Sequence, residues 1–324
     1  MRILLTTTSF QDTPGRHHEV LAASGFDIVR ARGPLTEAQM LDLIKGEGFD
    51  GLLNGDDAIT AKVIDAALPR LKVIAKYGIG LDSIDVKHAT SKKIPVLFTP
   101  GVNHTTVAEH AFGLMIAIAK HFWPHLKSTK SAVEGKNWKR ITGSELAGKT
   151  IAVLGVGRIG KEVIKRAVAF DMKPIGFDSY QDLDFGKQYD VQWAKTLDEA
   201  VTGADIVSLH MNLDDANRGI FNKDLIRRMK KGAVIINTAR GGLVNEQDIA
   251  DACKSGHLGG YGTDVVGHEP MTVPHPYDGV DNIIVTPHVG SRTFESVERQ
   301  ALRAVTNIVE FLKGGKDFIQ ANKF

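Results

Sequence analysis

The stretch I-A-V-L-G-V-G-R-I-G, residues 151–160, decides the fold. Its four apolar residues predict a buried strand over 151–154, and Gly155, Gly157 and Gly160 follow at the spacing of a dinucleotide-binding turn. Each glycine has its own task. Gly155 allows the tight turn, Gly157 lets the backbone approach a pyrophosphate, and Gly160 permits close packing of a helix predicted over 158–170. The amides left unpaired at that helix start would hold the phosphate. With 33 glycines in the chain, chance matches to such a motif come easily, so the flanking strand and helix carry the reading. The next predicted strand ends in Gly176, Phe177 and Asp178, where this kind of fold places an acid on a ribose. A carboxylate there repels a 2′-phosphate, which favours NAD over NADP, although Ser179 and Tyr180 leave room for both.

Working outward, further strands are predicted over 174–177, 206–209, 233–237, 259–263 and 283–286. The first hundred residues repeat the rhythm, with strands over 3–6, 27–30, 51–54, 72–75 and 95–98 and helices over 17–23, 36–44 and 60–67. Thr36 and Gln39 have the spacing of a capping box. Alternation of this kind implies two α/β units, each a doubly wound parallel sheet covered on both faces. Between them a helix is predicted over 105–120, followed by a polar segment with Trp123 and Trp138 that reads as a loop or surface excursion. Near the C-terminus, Val297, Ala301, Val305, Ile308, Val309 and Leu312 mark one face of an amphipathic helix over 294–312.

At 324 residues, 43% hydrophobic and 24% charged, the chain is long enough for two cores. Forty basic against 38 acidic residues give a net charge of +2 without a block of either sign, which argues against nucleic acid as a partner. A single cysteine, Cys253, excludes an intrachain disulfide and suits a cytoplasmic setting. The longest apolar run, 107–119, contains Glu109 and His110 and falls short of the roughly 20 residues that span a bilayer, so no membrane segment is expected. His17 with His18 and His121 with His125 lack acidic or cysteine partners at ligand spacing, so no metal site is expected.

Three segments carry chemistry: T-A-R-G-G at 238–242, D-V-V-G-H-E-P at 264–270 and T-P-H-V-G at 286–290. Arg240 and His288 each follow a predicted strand, where parallel sheets present ligand-binding loops. A guanidinium grips a carboxylate at two points, and an imidazole moves a proton near neutral pH. A carboxylate such as Glu269 favours the charged imidazolium. Taken singly, Arg240 could be a surface ion pair, His288 a structural histidine and Glu269 a solvated turn residue.

In order and spacing, these segments resemble the D-isomer-specific 2-hydroxyacid dehydrogenase family over nearly the whole chain. The resemblance also includes V-A-E-H at 107–110, G-V-G-R-I-G at 155–160, S-L-H at 208–210, N-T-A-R-G at 237–241, G-T-D at 262–264 and E-P-M at 269–271. It implies a Rossmann NAD-binding domain over 101–288 and a smaller flavodoxin-like substrate domain formed by 1–100 with 289–324, with catalysis in the cleft between. It implies an oxidoreductase that interconverts a D-2-hydroxy acid and its 2-keto acid. Arg240 would bind the carboxylate, His288 would donate the proton in reduction and Glu269 would pair with His288. Cofactor contacts would fall on Thr105, Gly155, Gly157, Arg158, Ile159, Gly160, Asp178, His210, Thr238, Ala239, Arg240 and Asp264. Where the family usually has proline two residues after the histidine, this chain has Asn212, which puts the loop over the adenine in doubt.

K-Y-G-I-G at 76–80 offers amides to an anion, and the resemblance places Ile79 and Gly80 on the substrate carboxylate. Asn54, Lys76 and Asn103 are the candidates for specificity, Lys76 for a second acidic group. The closest subfamily resemblance is to phosphoglycerate dehydrogenases, which makes 3-phosphoglycerate a candidate. Those enzymes carry an Arg-Ser pair where this chain has Asn54 and Gly55, and many have a regulatory extension that is missing here. A hydroxypyruvate or glyoxylate reductase is the alternative, and an NAD-sensing, non-catalytic binding protein is the alternative from another class. Formate dehydrogenases favour glutamine at the place of Glu269. The family usually builds a homodimer from the helix beginning near Thr105 and the segment around Trp123 and Trp138.

Overall fold

The computed structural model describes residues 1–46, 48–133 and 138–324. It divides into two compact units, Met1–Asn103 with Arg292–Phe324, and His104–Ser291.

In the first unit, β1 (Arg2–Leu5), β2 (Asp27–Arg30), β3 (Gly51–Asn54), β4 (Val73–Lys76) and β5 (Val96–Leu97) form a parallel sheet in the order β2-β1-β3-β4-β5. This is the flavodoxin-like order, with its switch point between β1 and β3. Successive side chains of a strand point to opposite faces. Accordingly Leu4 enters one core with Met40, Val63 and Ile64, while Ile3 and Leu5 enter another with Ala301, Ala304, Val305 and Ile308. Those last four residues belong to the helix Phe294–Lys313, capped at its start by Thr293 and ended by Gly314 in the left-handed region at φ 78°. Burial of Val305 or Ile308 stabilises the unit by about 1.5–3 kcal/mol each. The Thr36–Gln39 capping box forms, with the Thr36 amide donating to Gln39 Oε1 at 2.9 Å and the Gln39 amide to Thr36 Oγ1 at 3.4 Å.

In the second unit, β6 (Thr150–Leu154), β7 (Lys173–Phe177), β8 (Gln192–Trp193), β9 (Ile206–Leu209), β10 (Ala233–Asn237), β11 (Leu258–Thr263) and β12 (Ile283–Val285) run parallel in the order β12-β11-β10-β9-β6-β7-β8. That is the Rossmann order extended by a seventh strand, with the switch point between β6 and β9. Ile151 and Val153 pack to one face and Ala152 and Leu154 to the other, so the unbroken apolar run of β6 reflects a strand covered on both sides.

The segment read as a loop after residue 120 is corrected in part: Phe122–Val133 is a helix. Its polar composition had pointed to a loop, and Pro124 is no obstacle, since proline is tolerated in a first turn, where the N–H has no intrahelical partner. Residues 134–137 of that reading lie outside the described residues. The helices Thr8–Asp12, Val86–Ser91, Leu183–Gln188, Leu197–Thr202, Lys223–Arg228 and Glu246–Lys254 and the two-residue strand β8 were not predicted, all but Glu246–Lys254 being too short for a periodic signal. Among the described residues no helix is long and apolar enough to cross a membrane.

Candidate active site

The turn after β6 is built from backbone contacts. Gly155 lies in the left-handed region at φ 91°, and a Cβ there would meet the His210 carbonyl at 2.6 Å. A Cβ on Gly160 would come within 2.1 Å of the Gly155 carbonyl oxygen, whereas one on Gly157 would meet nothing within 4 Å. Turn, open approach and close packing thus fall to the three glycines separately. Gly157 caps the helix Arg158–Ala169, which includes Ile159 and Gly160 in its first turn, without a side-chain hydrogen bond. At the carboxyl end of β7, Asp178 Oδ2 accepts from the Val156 amide at 2.7 Å and Oδ1 from the Tyr180 amide at 3.0 Å. Its carboxylate therefore ties the glycine turn to the end of β7.

After β9, His210 Nε2 lies 2.8 Å from Ser208 Oγ, and its buried Nδ1 has no partner. Burial pushes this imidazole down to about 3, so it is neutral at physiological pH. After β10, the buried Oγ1 of Thr238 is also without a partner. These unsatisfied atoms, the open Gly157 and a helix start with no side-chain cap bond suit a dinucleotide laid along the carboxyl ends of β6, β9 and β10. Thr105 is in the first turn of the helix His104–Ala119.

Arg240 stands in extended backbone just before the short 3-10 turn Gly241–Leu243. The buried side chain of Asn237 spans its loop, accepting from the Ala239 amide at 3.0 Å and donating to the Arg240 carbonyl at 2.9 Å. Arg240 Nη1 donates to the Ala239 carbonyl at 2.7 Å. A Cβ on Gly241 would meet the Val266 carbonyl carbon at 2.0 Å, so this loop presses on the one that carries Glu269. Glu269 Oε1 accepts from the Val266 amide at 3.2 Å, and Oε2 lies 2.8 Å from His288 Nδ1. Imidazole and carboxylate are both partly open to solvent.

His288 has a left-handed backbone at φ 54°, a strained conformation for a residue with a side chain. Asp264 holds it there. The His288 amide donates to the Asp264 carbonyl at 3.0 Å, and the Val289 and Gly290 amides donate to its carboxylate at 2.9 and 2.7 Å. Thr286 Oγ1 donates to the same carboxylate at 2.6 Å, so it accepts from His110 Nε2 at 2.9 Å. Burial alone would raise Asp264, but the bonds from His110, Thr286, Val289 and Gly290 hold it below the usual carboxylate range. Asn237 and His110 were quoted in motifs without a role; for His110 the partner Thr286 lies 176 residues away and leaves no local pattern.

Of the residues expected at the substrate, Asn54 and Lys76 end adjacent strands, in register with each other. Asn54 is fully buried, its Nδ2 donating to the Gly55 carbonyl at 3.0 Å while Oδ1 has no partner. The Lys76 side chain is 2% exposed, and its ammonium donates to the Gly55 carbonyl at 2.6 Å and to Asp56 Oδ1 at 2.5 Å. Ile79 is exposed, and the loop with Gly80 is anchored by reciprocal 3.0 Å bonds between Gly78 and Thr99. Asn103 is buried near the end of the segment Met1–Asn103.

The family model for the D-isomer specific 2-hydroxyacid dehydrogenase NAD binding domain matches residues 112–290. The chain belongs to that family. It is 41% identical to a hydroxypyruvate reductase of Thermotoga maritima over 78% of this chain and 81% of that one. It is 37% identical to a D-3-phosphoglycerate dehydrogenase of Methanocaldococcus jannaschii over 86% of this chain and 52% of that longer protein. A solved structure from Thermus thermophilus superposes with a TM-score of 0.87 at 34% identity, covering 99% of this chain and 100% of that one. The protein is accordingly an NAD-dependent 2-hydroxyacid dehydrogenase, an oxidoreductase.

Proposed function

We propose that the protein reduces a short 2-oxo acid of the hydroxypyruvate or glyoxylate kind to the corresponding 2-hydroxy acid, the D isomer where the product is chiral. The observation that carries this reading is the 2.8 Å contact between His288 Nδ1 and Glu269 Oε2, on loops that follow β11 and β12 beside the Arg240 loop after β10. NADH, when held by the glycine turn after β6 and the loops after β9 and β10, would supply a hydride for the keto carbon. As charge develops on the keto oxygen, Arg240 stabilises it and grips the neighbouring carboxylate. With Nδ1 engaged by Glu269, His288 delivers the proton from Nε2, and Glu269 balances its charge. His288 then regains a proton from solvent, so one keto acid, one NADH and one proton become one hydroxy acid and one NAD⁺. The loops that carry Asn54, Lys76, Ile79, Gly80 and Asn103 recognise the rest of the substrate.

The Thermotoga relative supports an unphosphorylated acid, and the Methanocaldococcus relative favours 3-phosphohydroxypyruvate as the competing substrate. Loss of NADH absorbance with glyoxylate, hydroxypyruvate, pyruvate, 2-oxoglutarate and 3-phosphohydroxypyruvate tests the reading. Turnover should be fastest with hydroxypyruvate or glyoxylate, and failure with all five would overturn it. We also propose a homodimer through the helix Phe122–Val133, supported by exposed Phe122, Trp123 and Leu126. A monomeric mass by light scattering would contradict it.

A further inference from the structure

We propose that Glu246 is a positioning residue for proton transfer: from the first turn of the helix Glu246–Lys254 it holds the Gly267 amide, and through that loop the Glu269 carboxylate that faces His288. This rests on the reading of His288 and Glu269 as the proton-transfer pair. Every residue involved belongs to the unit His104–Ser291.

The loop that leads from β11 to Glu269 spends its amides one after another. Those of Val265, Val266 and Gly267 donate to Thr263 Oγ1 at 3.2 Å, to Glu269 Oε1 at 3.2 Å and to Glu246 Oε1 at 2.7 Å. Thr263 and Glu269 stand at the two ends of this same stretch, so their bonds give the loop its shape but not its place. Glu246 comes from a segment 21 residues earlier and supplies the place. Neighbouring amides serve the two carboxylates. A movement that frees Gly267 therefore also disturbs Val266, the residue from which Glu269 takes its bearing.

The segment that ends in Glu246 begins with Arg240 and touches the loop twice. A Cβ on Gly241 would come within 2.5 Å of the Gly267 nitrogen, so the backbone there already presses on this peptide. Glu246 adds a directed bond to that close approach, which contact between two backbones alone does not provide.

The Glu246 carboxylate is not engaged in capping its own helix. Asn245 does that, its side chain accepting from the Asp248 amide at 3.1 Å. The Glu246 side chain is 23% exposed, and its second oxygen lies 3.4 Å from Nε2 of His275, whose side chain is 7% exposed. The Tyr277 amide donates to His275 Nδ1 at 3.3 Å, which leaves the ring proton on Nε2, toward Glu246. A carboxylate faced at one oxygen by a buried ring and bonded at the other to a loop amide is fixed in direction, as a group that places another must be.

A double-mutant cycle in kcat for the best keto acid at saturating NADH separates this role from a merely structural one. Glu246→Ala should lower kcat roughly 10- to 100-fold with NADH affinity nearly intact. Glu246→Gln keeps an oxygen for the Gly267 amide and should recover most of that loss. In a Glu269→Ala background, where nothing is left to position, Glu246→Ala should cost less than about 3-fold. Should Glu246→Ala fail to fold, Glu246→Asp, one methylene too short for Gly267, takes its place in the cycle. An equal fold-loss in both backgrounds, a parent-like kcat in the first variant, or a loss in Glu246→Gln as large as in Glu246→Ala would overturn the proposal. If Glu269→Ala alone leaves kcat at the parent's level, the proton-transfer reading is what fails. Amide hydrogen exchange over residues 265–269 then decides the role of Glu246: exchange at least about 10-fold faster in Glu246→Ala and parent-like in Glu246→Gln supports it, and any other pattern overturns it.

Discussion

The two edges of each sheet are built to opposite ends. At the amino edge of the first sheet, the Asp50 amide donates to the Arg2 carbonyl, its carbonyl accepts from Lys72, and its carboxylate accepts from the Arg2 amide at 2.8 Å. At the amino edge of the second, Asp205 does the same with Thr150, Val234 and the Thr150 amide, the last again at 2.8 Å. Lys72 lies 2.9 Å from Asp50, and Lys230 lies 3.2 Å from Asp205. One aspartate just ahead of the strand next to the switch point ties three strand starts together in each unit. The carboxyl edges differ: Thr7 and Asn54 in the first sheet and His210 and Thr238 in the second keep buried polar atoms without partners. A saturated edge contributes stability, and an unsaturated one keeps its hydrogen-bonding capacity for a ligand.

Substitutions at the two edges should therefore separate activity from stability. A large loss of activity without a loss of stability is expected at Arg240. Arg240→Lys keeps the charge but loses the planar two-point grip, and kcat/KM for the best keto acid should fall roughly 100-fold with thermal stability retained. A loss of stability in step with activity would erase the distinction between the edges.

Next comes Asp50. Burial alone would raise its carboxyl, but the bonds from the Arg2 amide, Lys72 and Arg70 outweigh that and bring it to about 2, from an ordinary 3.8. A depressed carboxylate stabilises the fold above its unfolded value, and this contribution is lost as pH falls through the folded one. The shift corresponds to about 2 kcal/mol. Asp50→Asn should lose that much in denaturant unfolding at neutral pH, with kcat unchanged. Equal stability of parent and variant would remove the amino edge from the account.

The smallest effect is expected at Asp178. Its loss should raise the ratio of kcat/KM for NADPH to that for NADH roughly 10-fold in Asp178→Ala. An unaltered ratio would assign cofactor preference to another group.

What the sequence made legible was local. The glycine turn, the Thr36 cap, the apolar strands and the amphipathic helix near the C-terminus depend on neighbours within a few residues. The helix Phe122–Val133 was masked by its polar composition, and β8 is two residues long. At the proposed site, ordered motifs singled out Arg240, Glu269 and His288, but gave no sign of what holds them. Asp264, expected on the nicotinamide side, has both carboxylate oxygens engaged by residues 22 to 26 positions onward, which fix the strained backbone at His288. Lys76 looked from its loop like a cation awaiting a second acid; its neutralisation by Asp56 depends on two strand ends meeting in space.

The central claim is that His288, paired with Glu269, delivers the proton in a reduction that bound NADH drives. Comparing His288→Ala with the parent for turnover of the best keto acid and for NADH affinity by fluorescence titration tests it most directly. Turnover should drop roughly 10²- to 10⁴-fold with NADH affinity nearly intact. Turnover equal to the parent's would contradict the account.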